Sequence, residues 1–150
     1  MTLLWHEREP VGVCVFAAPA ASLSLRTKFF GLADPRSPVA LAALNEQLWL
    51  LQRVVLHPTY RGAGIAAAFV RRACELCPVD WVETLSAMGH ASPFFERAGF
   101  ARVGVIRRSG RARLRTGSAQ YGSRSARVTA ETRAKSHFSD PVYYVFDNRK

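Results

Sequence analysis

The sequence predicts one α/β domain, a sheet flanked by helices, and three observations lead to this prediction. Residues 50–78 have the pattern of a strand, a glycine turn and a helix, because the apolar period changes from strand-like to helical. Short apolar stretches at residues 3–7, 11–16 and 141–146 indicate further strands. A length of 150 residues with 49% hydrophobic composition suits one domain around one core.

The central unit follows from local chemistry. The apolar run up to Leu56 is too short and too rich in β-branched residues for a helix, and Pro58, which lacks a backbone N–H, ends it. The turn Arg61-Gly62-Ala63-Gly64 needs the backbone freedom of glycine. A helix is predicted from Ile65 until Pro78 stops it. Its apolar stripe consists of Ile65, Phe69, Ala73 and Leu76.

The chemistry that this unit favours is anion binding. A turn of this kind directs successive backbone N–H groups outward, and the first amides of the following helix have no partner within the helix. A phosphate or diphosphate is the usual ligand of such a site, and Arg61 adds a positive charge. The alternative is a structural strand–turn–helix whose glycines serve packing.

Two phosphate-binding motifs compete for this turn. A nucleotide P-loop is excluded, because no Gly-Lys-Ser/Thr follows the turn. A dinucleotide fingerprint fits Gly62, Gly64 and Ala67, with Glu83 about 20 residues further on. Against it, residues 58–61 separate the strand from the first glycine, and too few residues follow for the complete parallel sheet of that fold.

The other elements are predicted on both sides of the central unit. Further strands are predicted at residues 3–7, 11–16, 80–87, 101–106 and 141–146, the last placed to pair beside residues 101–106. Helices are predicted at residues 26–32, 93–99 and 128–135, whereas residues 39–46 fit a helix or a loop. Ser92 suits the N-cap of the helix at residues 93–99, and Gly99 suits its end.

The positive charge of the chain is concentrated in one segment. The net charge is +10, and nine Arg or Lys residues stand against a single acid, Glu131, between Arg107 and Lys135. Such a segment favours an acidic partner such as nucleic acid, and the alternative is a solvated loop.

Several classes of protein are excluded or disfavoured by composition. An apolar run of about 18 residues is absent, so no transmembrane helix is predicted, and the N-terminal residues lack the features of a signal peptide. Cys14, Cys74 and Cys77 are odd in number, which fits the reducing cytoplasm better than a disulfide scaffold. Cys74 and Cys77 form one C-x-x-C pair, too few ligands for zinc, so no metal site is predicted.

Residues 54–66 resemble the acetyl-coenzyme A motif of the GNAT superfamily of N-acetyltransferases. That motif is Gln/Arg-x-x-Gly-x-Gly/Ala after a strand that ends near a proline, and its positions here are Arg61, Gly64 and Ala66. Residues 93–100 are similar to the later helix of the family, which ends in Gly-Phe, and the resemblance covers about residues 3–106 and 141–147. Residues 82–84 and 93–95 also resemble acetyltransferase-like domains attached to certain ABC-type ATPases.

The resemblance implies a mixed, mostly antiparallel sheet with one splayed parallel strand pair, residues 50–56 and 80–87. Relative to the family, the usual first strand and first two helices are lacking. We therefore predict a single domain over residues 1–150, with a basic insertion at about residues 107–140. Either the chain is part of a larger protein, or a partner, such as a second copy in a homo-oligomer, supplies the missing wall of the acceptor site, or acceptor binding is unusual.

The resemblance also implies acetyl-CoA as cosubstrate and an amine as the acceptor, which attacks the thioester directly in a ternary complex. The pantetheine arm would lie between the splayed strands and would bond to their backbone. The implied cofactor-binding residues are Val54, Val55, Leu56, Arg61, Gly62, Ala63, Gly64, Ile65 and Ala66.

Catalysis requires a base, since an amine of lysine type is protonated at neutral pH. The candidates are Glu83 and His90, whose structural alternatives are an ion-paired carboxylate and a solvated loop imidazole. The family commonly has a tyrosine as the acid where this chain has Phe95, which cannot donate a proton. Either the thiolate leaves unaided, or another group serves, or the domain is a non-catalytic module that binds CoA or nucleic acid.

Overall fold

The computed structural model describes residues 1–32, 37–107 and 140–149, which form six strands and four α-helices. The strands are β1 Thr2–His6, β2 Glu9–Ala17, β3 Leu48–Leu56, β4 Trp81–Ser86, β5 Ala101–Val105 and β6 Val142–Asp147. The helices are α1 Ser24–Phe30, α2 Pro38–Gln47, α3 Ile65–Glu75 and α4 Phe94–Arg97. Single 3₁₀ turns at Pro58–Tyr60 and Ala87–His90 follow β3 and β4.

The six strands form one mixed sheet in the order β1-β2-β3-β4-β6-β5. Four neighbouring pairs are antiparallel, and β3 and β4 are parallel. The predicted mixed, mostly antiparallel sheet with one parallel pair is therefore confirmed. The last strand pairs with β5 as predicted, and it also pairs with β4, so that it lies between them.

The main core lies between the sheet and helices α3 and α4. Helix α3 buries one face, formed by Phe69, Val70, Ala73 and Cys74. These side chains pack against the inward-facing residues of four strands and of α4, among them Cys14, Leu51, Val82, Ala98 and Tyr144. The prediction that Leu76 belongs to the apolar stripe is wrong. Helix α3 ends at Glu75, before Pro78, and Leu76 is 57% exposed.

Helix α1 lies on the opposite face of the sheet, across β4, β6 and β5. The rings of Phe29 and Phe30 contact the Trp81 ring edge-on, with centroids 6.1 and 5.2 Å away. Leu25 lies under Gly104 of β5, and a Cβ on that glycine would be 3.3 Å from Leu25 Cδ1. The short helix predicted at residues 26–32 is thus confirmed, and residues 39–46 are helical within α2.

Helix α2 begins as its sequence dictates, whereas α4 does not. Ser37 is the N-cap of α2, and its hydroxyl accepts a hydrogen bond from Ala40 N. The predicted Ser92 cap of α4 is wrong, because α4 begins at Phe94 and Pro93 occupies the cap position without a side-chain bond. Gly99 ends α4 as predicted, at φ +97°. The helix predicted at residues 128–135 lies outside the described residues.

The three cysteines are free and buried. Burial raises the pKa of Cys14 to about 12 and that of Cys77 to about 11, so both thiols stay protonated at neutral pH. Within the described ranges, no His, Cys, Asp or Glu cluster is arranged to hold a metal ion. None of the helices in those ranges combines the length and apolar character that crossing a bilayer needs.

Candidate functional site

The two parallel strands separate after a short paired stretch. Both strands are fully described, and they pair at Leu48–Trp81, Trp49–Val82 and Leu50–Glu83. Beyond Leu50, β3 continues to Leu56 beside β2 alone, while β4 continues to Ser86 beside β6. A gap therefore opens between the carboxyl-terminal halves of β3 and β4, which is the predicted splay.

A bulge in β3 explains where the gap begins. Val15 pairs with Arg53, but the next residue, Phe16, pairs with Leu51, so Gln52 is an extra residue on β3. A bulge bends its own strand, and this one lies just past the last parallel pair. Thr84 completes the junction, since its hydroxyl donates to the Leu51 carbonyl at 2.9 Å and satisfies the acceptor where the parallel ladder stops.

The hydrogen-bond pattern of β2 and β3 decides which backbone groups border the gap. His57 N donates to Val11 O at 2.8 Å, and bonded and non-bonded pairs alternate along an antiparallel ladder. Val55 therefore bonds to β2, whereas the backbone groups of Val54 and Leu56 point toward the gap. Of the three β3 residues predicted to hold the arm, Val54 and Leu56 have the required backbone direction.

The turn after β3 is open to solvent. Gly62 and Gly64 have φ of +84° and +77°, a region that side-chain-bearing residues rarely adopt, and a Cβ on either glycine would meet nothing within 4 Å. Gly64 is also the N-cap of α3, and no side chain of the described residues caps that helix start. The amides of Ile65 and Ala66 therefore remain as donors for an anion, beside Ala63 in the exposed turn.

Arg61 is fixed to the end of β3. Its Nε donates to Leu56 O at 3.1 Å, and its backbone N donates to Pro58 O at 3.1 Å. In the part of the chain that the structure describes, no carboxylate forms a salt bridge with Arg61. A cleft of about 350 Å³ adjoins this arginine, with walls that include Val11, Val13, Val55, Leu56 and His57.

Glu83 lies at the last parallel pair, and its side chain is engaged on both oxygens. Arg26 Nη1 donates to Oε1 at 3.1 Å and the Tyr143 hydroxyl donates to Oε2 at 2.9 Å, while Arg26 also donates to Ala20 O. Glu83 and Arg26 are each 1% exposed. Burial raises the pKa of Glu83, although Arg26 and Tyr143 act in the opposite direction. These contacts favour the ion-paired alternative for Glu83, and its role as a base stays a prediction.

His90 has the opposite environment. It is exposed at the end of the 3₁₀ turn after β4, and its Nε2 lies 2.7 Å from Asp140 O. A carbonyl oxygen only accepts, so Nε2 carries the proton and Nδ1 of the neutral ring is an acceptor. This arrangement can receive a proton, which is what a general base must do.

Phe95 belongs to an aromatic cluster. Its ring lies 5.4 Å from the Phe100 ring and 5.3 Å from the Tyr144 ring. The Tyr144 hydroxyl contacts Glu96 Oε1 at 3.2 Å and Gly89 O at 3.3 Å. Burial raises the pKa of Tyr144, so this phenol is a protonated hydrogen-bond donor at neutral pH. The sequence did not predict that Tyr144, which carries a hydroxyl, packs against Phe95.

The splayed strands and the uncapped helix start are features that the resemblance to the GNAT superfamily predicts, and the comparison with known proteins agrees on the family. Residues 11–113 match the family described as Acetyltransferase (GNAT) domain, so the chain belongs to the GNAT acetyltransferases. No curated protein matches this chain significantly.

One solved structure is similar to this chain, a Corynebacterium glutamicum protein described as histone acetyltransferase HPA2 and related acetyltransferase. The identity is 16% and the TM-score is 0.47, over 96% of this chain and 61% of that one. The present chain thus spans less than two thirds of the length of that protein.

Proposed function

We propose that this domain transfers an acetyl group from acetyl-CoA to an amine by direct attack within a ternary complex. The observation that supports the proposal is the gap between β3 and β4 next to an open, uncapped start of α3. A gap with unpaired backbone groups suits the amides of a pantetheine arm, and an uncapped helix start suits a diphosphate. The dinucleotide alternative is disfavoured, because its fold has a mostly parallel sheet, whereas four of the five strand pairs here are antiparallel.

Each part of this site has a chemical task in the proposal. Acetyl-CoA supplies an activated thioester when it is bound. The backbone of Val54 and the amide of Leu56, whose carbonyl already accepts from Arg61, hold the arm. Arg61 and the amides from Gly62 to Ala66 hold the diphosphate, and an amide on β3 donates to the acetyl oxygen. His90 accepts the proton of the amine at Nδ1, because that nitrogen is free of the bond to Asp140.

The first test separates binding from catalysis. We expect CoA, but neither NAD nor FAD, to raise the melting temperature, and we expect candidate amines to release thiol from acetyl-CoA. His90→Ala should lower kcat by about 100-fold or more, as loss of a general base does, and should leave the dissociation constant of CoA within about 2-fold. Ser92→Ala, close to His90 in the chain, is the control. Wild-type kcat in His90→Ala would refute the assignment of the base.

Two outcomes lead to other functions. Stabilisation by CoA without release of thiol from acetyl-CoA in the presence of any amine would favour a non-catalytic CoA-binding module. The phenylalanine at position 95, where the family commonly has a tyrosine, agrees with that outcome. Stabilisation by NAD or FAD instead of CoA would restore the dinucleotide hypothesis. The lack of stabilisation by any of the three ligands would refute the proposed site.

A second proposal concerns an acidic partner, and a specific observation supports it. The basic segment leaves the sheet after Val105 and returns at Val142, which pairs with both Val105 and Ser86. Since β3 and β4 are parallel, this is also the end of the sheet where the gap opens. The two ends of the segment therefore lie at that end of the sheet, and residues 108–139 themselves lie outside the described residues.

We expect RNA or DNA binding by this segment to depend on salt. Each phosphate contact contributes about 0.9 to the slope of log affinity against log salt, so Arg111, Arg113 and Arg115 changed together to alanine should reduce that slope by about 2 to 3. An electrophoretic shift series at increasing salt measures this. Absent or salt-insensitive binding by the wild type would remove nucleic acid from the list of partners.

A further inference from the structure

Three aromatic rings, those of His6, His57 and Tyr60, meet directly before the glycine turn. The Tyr60 hydroxyl lies 2.7 Å from His6 Nδ1. The His6 and Tyr60 rings meet edge-on at 5.5 Å between centroids, and the His57 ring meets Tyr60 in the same way at 6.2 Å. His6 is the last residue of β1, so this contact joins the edge of the sheet to a residue 54 positions away in the chain.

The partner in this contact is the residue directly before Arg61. Tyr60 ends the 3₁₀ turn Pro58–Tyr60, and Tyr60 N donates to His57 O at 3.0 Å. Arg61 then reaches back to Leu56, and the two positive-φ glycines follow. The segment from His57 to Gly64 is largely exposed, and glycines leave its backbone many alternatives. The His6–Tyr60 hydrogen bond is its side-chain connection to the strand at the sheet edge.

We propose that Tyr60 and His6 are positioning residues for the diphosphate of CoA. They act through Arg61 and the glycine turn, because their contact holds Tyr60, the residue directly before that turn, in place. Without the contact, the free protein would occupy the ligand-competent turn for a smaller fraction of the time, and the apparent affinity would fall by that fraction. This inference rests on the proposed function and names residues that the acetyl-CoA motif does not include.

Isothermal titration of CoA into wild type, Tyr60→Phe, His6→Ala and the double variant tests the proposal. Each single variant should weaken CoA binding by about 3- to 10-fold, as loss of one hydrogen bond does. The double variant should be no weaker than the worse single one, since both remove the same contact. His6→Asn should recover most of the affinity, because its amide places a hydrogen-bonding atom near the position of Nδ1. Thr59→Ala, in the same 3₁₀ turn, is the matched control.

Two readouts separate positioning from a general structural defect. The KM for acetyl-CoA should rise in parallel with the dissociation constant, and the melting temperature without ligand should stay within about 2 °C, since an exposed hydrogen bond contributes little to stability. Wild-type affinity in Tyr60→Phe would overturn the inference while leaving the proposed function intact. Fully additive losses in the double variant would overturn it as well. Failure of the wild-type protein to bind CoA would overturn the proposed function itself, together with this inference.

Discussion

Replacing Arg26 by alanine should lower the free energy of unfolding by about 3–5 kcal/mol, which is what removing one partner of a buried ion pair costs. Arg26 and Glu83 are each 1% exposed, and among the described residues the carboxylate would keep the Tyr143 hydroxyl alone as a partner. The buried carboxyl would then favour its protonated form, so part of the loss should be recovered as the pH falls from 7 toward the unfolded-state pKa of about 4.3. Urea unfolding at pH 7 and pH 5, followed by circular dichroism, measures both effects.

Two controls distinguish the effect of leaving a buried carboxylate unpaired from the effect of removing a positive charge. Arg72→Ala removes an exposed partner of Glu75, whose bond of 3.2 Å joins side chains that are 69% and 41% exposed, and it should change stability by less than about 1 kcal/mol. Arg26→Met combined with Glu83→Leu and Tyr143→Phe removes all three polar groups and should restore most of the stability, since no buried group is left unpaired. A loss below about 1 kcal/mol in Arg26→Ala would show that Glu83 is not buried as described.

The location of Arg26 is also the clearest case of what the sequence could not predict. A short helix over residues 26–32 was predicted from local pattern, and α1 covers most of that range. The pairing with Glu83 joins residues 57 positions apart, and a charged side chain in a helix is usually solvated, so local pattern alone does not indicate a buried partner. For the same reason the sequence left Glu83 with two alternatives, base or ion pair.

The glycine turn and its two flanking elements were more predictable, because they depend on local backbone chemistry. The positive-φ glycines, the end of β3 near Pro58 and the start of α3 at Ile65 all follow from residue types within one short segment. The bulge at Gln52 was not predicted, since one extra residue in an apolar strand leaves no mark on the pattern of side chains. The contact of Tyr144 with Phe95 was not predicted, because the place of β6 between β4 and β5 depends on long-range strand pairing.

The distribution of exposed apolar residues shows how far the helices cover the sheet. Helix α1 lies over β4, β6 and β5, where it brings Phe29, Phe30 and Leu25 to the sheet. On the strands at the other edge, Leu3, Trp5 and Val55 are 39%, 56% and 42% exposed. Leu85 of β4 is 40% exposed as well, so apolar side chains remain exposed on strands on both sides of the gap between β3 and β4.

Gly64→Ala should weaken CoA binding by about 10- to 100-fold, corresponding to loss of one or two charge-assisted hydrogen bonds. The glycine is the N-cap of α3 at φ +77°, and a Cβ there would occupy space that is empty within 4 Å in the free protein. The methyl group therefore meets little in the free protein, but it would stand where the proposed function has the diphosphate approach the first amides of the helix. Isothermal titration with CoA measures the loss directly.

Gly31 provides a matched control for this substitution. It has φ +64° at the C-cap of α1, and a Cβ there would also meet nothing within 4 Å. Alanine at either glycine thus adds the same kind of left-handed strain, about 1–2 kcal/mol, and should lower stability by similar amounts. If Gly31→Ala weakens CoA binding as much as Gly64→Ala does, the effect comes from stability and not from the turn. If only Gly64→Ala weakens it, the backbone at the start of α3 is where the diphosphate binds, because strain alone is equal at the two positions.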